Sequence, residues 1–193
     1  MGARAQARHD GTQPQIQHGA VYLRAPERSD IPLWLTWFND WRTVRTLARK
    51  APMPGWAEEG WFNSMPEWWG KSDYVFAACL FDGDRNVGNC GLHEIDLPNG
   101  NAALGIAIGS PDDQNKGFGT DVVRALLEFG FGQLRLERIW LDVYDGNPGA
   151  QRVYEKAGFT VEGVLRHAAF REGAYLDIVR MAILADEWLA AAK

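Results

Sequence analysis

Two glycines two residues apart, Gly117 and Gly119, stand between an apolar run at 104–108 and an amphipathic pattern that begins near Thr120. The full stretch reads Gln114-Asn115-Lys116-Gly117-Phe118-Gly119-Thr120. A strand that feeds a glycine turn and then a helix commits the chain to a layered α/β arrangement. It also aims unpaired backbone N–H groups and the positive end of a helix dipole at one place. Such a place binds phosphate or pyrophosphate. The glycines remove Cβ atoms where an anion must approach the backbone, and Lys116 adds a cation beside it.

Spacing separates the known phosphate loops. A P-loop requires Gly, four residues and then Gly-Lys-Ser/Thr, but here Lys116 precedes Gly117 and no hydroxyl residue follows it directly. A dinucleotide fingerprint requires a third glycine where Val122 stands, which disfavours a nicotinamide-dependent oxidoreductase. A glycine turn that merely caps an ordinary helix is the competing reading.

A second motif bears on that choice. Asn147-Pro148-Gly149-Ala150-Gln151-Arg152-Val153-Tyr154-Glu155-Lys156-Ala157-Gly158-Phe159 follows a strand pattern at 139–144. Asn147 suits an N-cap, Pro148 the first helical position and Gly158 a left-handed C-cap. Ala150, Val153, Tyr154 and Ala157 then share one helix face, which turns Tyr154 inward.

The loop Gln-x-x-Gly-x-Gly and the later Asn-x-x-Ala-x-x-x-Tyr-x-x-x-Gly-Phe, in this order, resemble the GCN5-related N-acetyltransferase (GNAT) family. Gly158 to Arg166, Phe170 to Tyr175 and Leu23 to Glu27 resemble its ribosomal-protein N-terminal and spermidine acetyltransferase branch. The likeness covers roughly 20–189 and is specific for the cofactor, weak for the acceptor.

The resemblance implies an α/β (α+β) GNAT fold: a mixed, mostly antiparallel seven-stranded sheet with about four flanking helices. Its expected order is strand, two helices, three strands, helix, strand, helix, two strands. The local patterns agree. A strand near 20–24 precedes a helix capped by Ser29 or Asp30 with Pro32 in its first turn, and a second helix spans 57–69, interrupted at Pro66. Strands follow at 74–81 and 87–95, joined by a turn at 82–86, then at 102–108. The helix after the loop is striped by Val122, Val123, Leu126, Leu127 and Phe131, and closing strands lie at 160–166 and 175–185. Residues 1–18 read as a disordered tail and 19–193 as one acetyltransferase domain.

The family's reaction is attack of an amine on the thioester of acetyl-coenzyme A (acetyl-CoA), its co-substrate. The expected cofactor-binding residues are Gln114, Asn115, Lys116, Gly117, Phe118, Gly119 and Thr120 at the pyrophosphate, with Ile106, Ala107, Ile108, Asn147 and Tyr154 along the arm and thioester. Backbone groups of Ile106-Ala107-Ile108 are the oxyanion candidates, because the family splays this strand from its neighbour. Tyr154 is the expected acid for the leaving thiolate, the alternative being a packed aromatic. Glu94 is the candidate base, with Asp96 on its face and His93 turned the other way; a solvated strand end is the alternative. Asn147 contacts the arm, caps its helix, or both. Seven of nine tryptophans lie at 34–69, where the family builds its acceptor wall. Trp34, Trp37 and Trp41 fit core packing, and either Trp68 or Trp69 is expected at the acceptor pocket.

Bulk properties exclude more than they select. A chain of 193 residues buries one core without staples, and four scattered histidines with two unpaired-looking cysteines, Cys79 and Cys90, argue against a metal. The net charge of −5 disfavours nucleic acid, and no run is apolar enough to span a bilayer. The resemblance implies a small-molecule amine or peptide N-terminus as partner, and a homodimer by analogy; the cytoplasm is the default location. A non-catalytic acyl-CoA sensor on the same fold is the alternative function.

Overall fold

The computed structural model describes residues 15–49 and 52–191. Its strands are β1 (Ile16–His18), β2 (Val21–Arg24), β3 (Tyr74–Leu80), β4 (Asn86–Asp96), β5 (Asn101–Ile108), β6 (Arg138–Tyr144), β7 (Thr160–Arg171) and β8 (Ala174–Leu184). They form one sheet in the order β1-β2-β3-β4-β5-β6-β8-β7, in which β5 and β6 alone are parallel neighbours. The helices are α1 (Ile31–Phe38), α2 (Trp41–Val44), α3 (Gly55–Trp68), α4 (Phe118–Gly132), α5 (Pro148–Ala157) and α6 (Ala185–Ala191).

Strand alternation divides the core between two sheet faces. Leu23, Phe76, Ala78, Leu92, Leu104, Ile139, Leu141 and Met181 meet the stripe of α4, where Val122, Val123, Leu126 and Leu127 are fully buried. Tyr154 and Ala157 bring α5 onto that face. The intervening residues Tyr22, Ala77 and Cys79 meet Trp34, Trp37 and Phe38 of α1 on the other. That second face is covered at β2 and β3. Farther along it, Arg180 lies over the Trp140 ring, 4.3 Å from the centroid, and no helix makes an extensive contact there among the described residues.

The architecture is the expected mixed α/β sheet, with differences at its margins. Eight strands replace the seven expected. Ile16–His18 turns back through Gly19 and Ala20 to pair with β2, and the Asp121 carboxylate of α4 accepts the Ala20 N–H at 3.1 Å. Ile16–His18, expected in the tail, therefore belong to this hairpin, and residues 1–14 lie outside the described residues. Pro66 sits inside α3 without interrupting it, since only Glu67 and Trp68 follow before the helix ends. The short α2 and the C-terminal α6 had no separate sequence expectation. Both cysteines are buried thiols.

Candidate active site

The site begins where two parallel strands part. β5 and β6 are paired at three positions, Asn101 with Arg138, Ala102 with Ile139 and Ala103 with Trp140. Beyond them β6 follows β8 to Tyr144, while β5 follows β4 to Ile108. The Gly109 N–H donates to Val87 O at 2.9 Å. By antiparallel alternation Ala107, Gly105 and Ala103 therefore also turn their polar backbone atoms toward β4. Leu104, Ile106 and Ile108 turn theirs into the fork. Ile106 and Ile108 accordingly occupy the expected position, and Ala107 gives its backbone to β4 instead.

The phosphate loop rises from the end of β5. Ser110 caps a short 3-10 turn at Pro111–Asp113, and Asp113, nearly buried, receives both guanidinium nitrogens of Arg85 at 2.6 and 2.9 Å. Arg85 holds the Asp113 carboxyl below the usual carboxylate range. Lys116 lies 3.7 Å from the same carboxylate, so its ammonium is tethered at the loop. The Gln114 N–H is used by Pro111 O and the Thr120 N–H by Gly117 O. Between them, the backbone N–H groups of Asn115, Lys116, Gly117, Phe118 and Gly119 have no acceptor among the described residues. Gly117 enters α4 with φ of 90°, a left-handed conformation that costs glycine nothing. A Cβ on Gly119 would stand 3.8 Å from Ile108 on one side and Val153 on the other, which sets the helix start between β5 and α5.

Across the fork, Asn147 accepts the Ala150 N–H at 3.1 Å, and Gly158 closes α5 with φ of 102°. The cap reading of Asn147 holds, and its amide nitrogen makes no hydrogen bond among the described residues. Tyr154 packs against Phe159 and is 7% exposed; burial pushes its phenol up to about 12.

The open face holds the remaining candidates. β4 and β5 lose register between His93 and Asp96, and Glu94 has φ of 51°. This bulge breaks the simple alternation that would set Glu94 and His93 apart. Glu94 is exposed, and its charge acts on Arg180 of the open face. Asp96 is occupied by the Asn99 side chain at 2.7 Å. His93, on the face opposite buried Leu92, places Nδ1 2.9 Å from Asp73 Oδ1. Its Nε2 lies where a Cβ on Gly91 or Gly105 would approach to 3.1 or 3.3 Å. The sequence reading missed this pair. The missing side chains at Gly91 and Gly105, both opposite one another in the ladder, were its only sequence signal.

A profile of the acetyltransferase (GNAT) domain matches residues 20–160, spanning the forked strands, the loop and α5. The chain belongs to the GNAT family. It is 37% identical over 181 residues to the spermidine N(1)-acetyltransferase of Escherichia coli K12, covering 90% of this chain and 91% of that one. The corresponding Vibrio cholerae enzyme is 33% identical over 173 residues, covering 86% and 94%. A crystal structure of spermidine N-acetyltransferase from Vibrio cholerae in complex with CoA and spermine superposes with a TM-score of 0.81 at 28% identity, over 88% of this chain and 98% of that one.

This GNAT protein is an acetyl-CoA-dependent N-acetyltransferase, and acetyl-CoA is its co-substrate. Its own residues fit the coenzyme: free N–H groups for a diphosphate and fork-facing backbone atoms for the amides of the arm. No cluster of three or more potential metal ligands, and no helix long and apolar enough to cross a membrane, occurs among the described residues.

Proposed function

We propose that this chain acetylates a primary amine of a small molecule or peptide N-terminus by direct attack in a ternary complex. The fork opening beside five free N–H groups carries this reading. In it, Asn115 to Gly119 donate to the diphosphate, with Lys116 adding charge and Gln114 and Thr120 flanking the turn. Ile106 and Ile108 pair with the pantetheine amides and present an N–H to the carbonyl oxygen as it gains charge. Asn147 contributes its free amide nitrogen.

Acetyl-CoA supplies the activated acyl carbon and a thiol leaving group. A C–N bond forms as the C–S bond breaks, and the amine's proton must pass to the protein. Glu94 and the His93–Asp73 pair are the candidates on the open face; His93 is favoured because Asp73 orients its ring. Tyr154 donates a hydrogen bond from its hydroxyl to the departing sulfur. Thiol release from acetyl-CoA over a panel of amines, followed by mass spectrometry of the acetylated product, tests the reaction. Coenzyme binding without release over the panel would reject it.

The E. coli and V. cholerae relatives are named for spermidine, which makes polyamines one arm of that panel. A homodimer through β7 is part of the reading: this edge strand exposes Val161, Val164 and Leu165 at 57, 53 and 43%. Sedimentation equilibrium of the wild-type chain and Val164→Lys tests it, and a wild-type monomer would reject it.

A further inference from the structure

The segment from α2 to Arg49 and the hairpin joining β7 to β8 enclose a groove of about 230 Å³. Its charged lining is Arg45, Arg49, Arg171 and Glu172, and its apolar lining includes Trp41 and Phe170. This is a surplus of two positive charges in a chain of net charge −5.

Three contacts set the groove at the mouth of the fork. Thr43 Oγ1 donates to Gly109 O at 2.8 Å, which ties α2 to the end of β5. Arg171 Nη2 donates to Tyr144 OH at 2.9 Å, which ties the hairpin to the end of β6. The same nitrogen donates to Leu47 O at 2.7 Å and so closes the gap between the two walls. An amine reaching the parted ends of β5 and β6 from the open face passes these residues.

The arginines retain their charge for a ligand. Neighbouring Arg42 is neutralised by Asp40 at 2.6 Å, whereas Arg45, Arg49 and Arg171 are in no ion pair within 4.0 Å among the described residues. Arg49 stacks its guanidinium carbon 3.9 Å from the Phe38 ring centroid, and Arg171 bonds to neutral oxygens. Glu58 acts on Arg49 from α3 without contacting it, and Glu172 is exposed at the hairpin turn. A second ammonium group entering the groove would meet three guanidinium groups and a single lining carboxylate, Glu172. A carboxylate would meet guanidinium forks, and its apolar stem would meet Trp41 and Phe170.

We infer that the acceptor is an amine whose distal end carries a carboxylate on an apolar or aromatic stem, and that Arg45, Arg49 and Arg171 select it over a polyamine. This rests on the acetyltransferase reading above and names its substrate class.

Two matched pairs of acceptors isolate the distal charge: 6-aminohexanoate against cadaverine, and 4-(aminomethyl)benzoate against p-xylylenediamine. Spermidine is a fifth arm. The carboxylates should exceed their diamine twins by about tenfold or more in kcat/KM, with the difference shrinking at high salt. Arg45 is exposed and makes no side-chain hydrogen bond or ion pair among the described residues, so Arg45→Glu should keep the fold and the KM for acetyl-CoA while erasing or inverting the preference. Equal or better turnover of cadaverine, p-xylylenediamine or spermidine by the wild-type protein overturns the inference and leaves the acetyltransferase reading intact. Calorimetric titration of the CoA complex reads the groove separately. Carboxylate binding without turnover of any arm would uphold the groove and reject the reaction; absence of carboxylate binding would overturn the groove.

Discussion

His93 Nδ1 lies 2.9 Å from Asp73 Oδ1, and the opposite nitrogen of the ring rests over Gly105, the residue before fork-facing Ile106. A carboxylate on one ring nitrogen fixes the tautomer and frees the other nitrogen to take a proton. His93→Gln should lower kcat/KM for the amine by about a hundredfold, the scale of lost general-base catalysis, with the KM for acetyl-CoA unchanged. Asp73→Asn should give part of that loss, and Glu94→Gln little. A larger effect at Glu94 than at His93 in steady-state rates would reverse the assignment.

Tyr154 makes a different prediction because burial raises its phenol to about 12. The hydroxyl is thus protonated through the neutral range and is a weaker acid than an alkyl thiol, near 8.5. In the proposed reaction its part is to donate a hydrogen bond to the departing sulfur, while the net proton comes from the amine. Tyr154→Phe should reduce kcat by about tenfold to a hundredfold with little change in coenzyme affinity. The wild-type rate should show no alkaline limb from this residue below pH 10. Stability has the same sign: the raised value means that the neutral ring's contribution is intact below about 10, the unfolded value, and is lost as pH climbs through the native one. Thermal melts between pH 9 and 12 check it.

At Gly117 the structure adds a conformational requirement to the close anion approach read from the sequence. A Cβ there would meet nothing within 4 Å, so Gly117→Ala carries no clash, only the strain of φ at 90°. The expected cost is about 1–2 kcal/mol, divided between stability and a higher KM for acetyl-CoA as the loop N–H groups turn aside. An unchanged KM with full destabilisation would separate the turn from coenzyme binding.

These positions also mark how far the sequence could be read. The loop and α5 were legible because their determinants are local: glycines at left-handed positions, an Asn-Pro start, and a four-residue apolar spacing. The β4 bulge was not, since Glu94 and Ile95 carry no glycine or proline to signal it, and one inserted residue changes which side chains share a face. Trp41, read with Trp34 and Trp37 as core by its helical spacing, is 59% exposed past the end of α1 and lines the groove, while Trp68 and Trp69 bond to Ser64 Oγ and Val75 O. The groove itself joins Leu47 to Arg171, a separation of 124 residues that no spacing rule spans.

Asp30 joins three elements ahead of the site. It receives both nitrogens of Arg24 at 2.7 and 2.8 Å, the Glu27 N–H at 2.8 Å and the Asn86 amide at 2.9 Å. Burial pushes the carboxyl up, but the donors from Arg24, Glu27 and Asn86 outweigh it and hold the group below its usual value. Its contribution is therefore present above about pH 3.9, the unfolded value, and is lost as pH falls through the lower native one. Asp30→Ala leaves Arg24 without its anion and should cost about 3–5 kcal/mol in urea unfolding. It should also flatten the acid limb of stability.

Thr43 offers a test of the proposed acceptor wall apart from the chemistry. Its hydroxyl is buried and donates to Gly109 O at 2.8 Å, and a Cβ on Gly109 would fall 1.9 Å from Trp37, so this point of β5 is pressed between α1 and α2. Thr43→Val keeps the side-chain shape but leaves the Gly109 carbonyl without its donor, a loss of about 1–3 kcal/mol. The strand register and the loop beyond it do not depend on that bond, whereas the position of Arg45, one residue past the end of α2, does. The expected result is a several-fold rise in acceptor KM, about fivefold, with the KM for acetyl-CoA held. A matching rise in both constants would mean that α2 steadies the whole fork and not the acceptor wall alone.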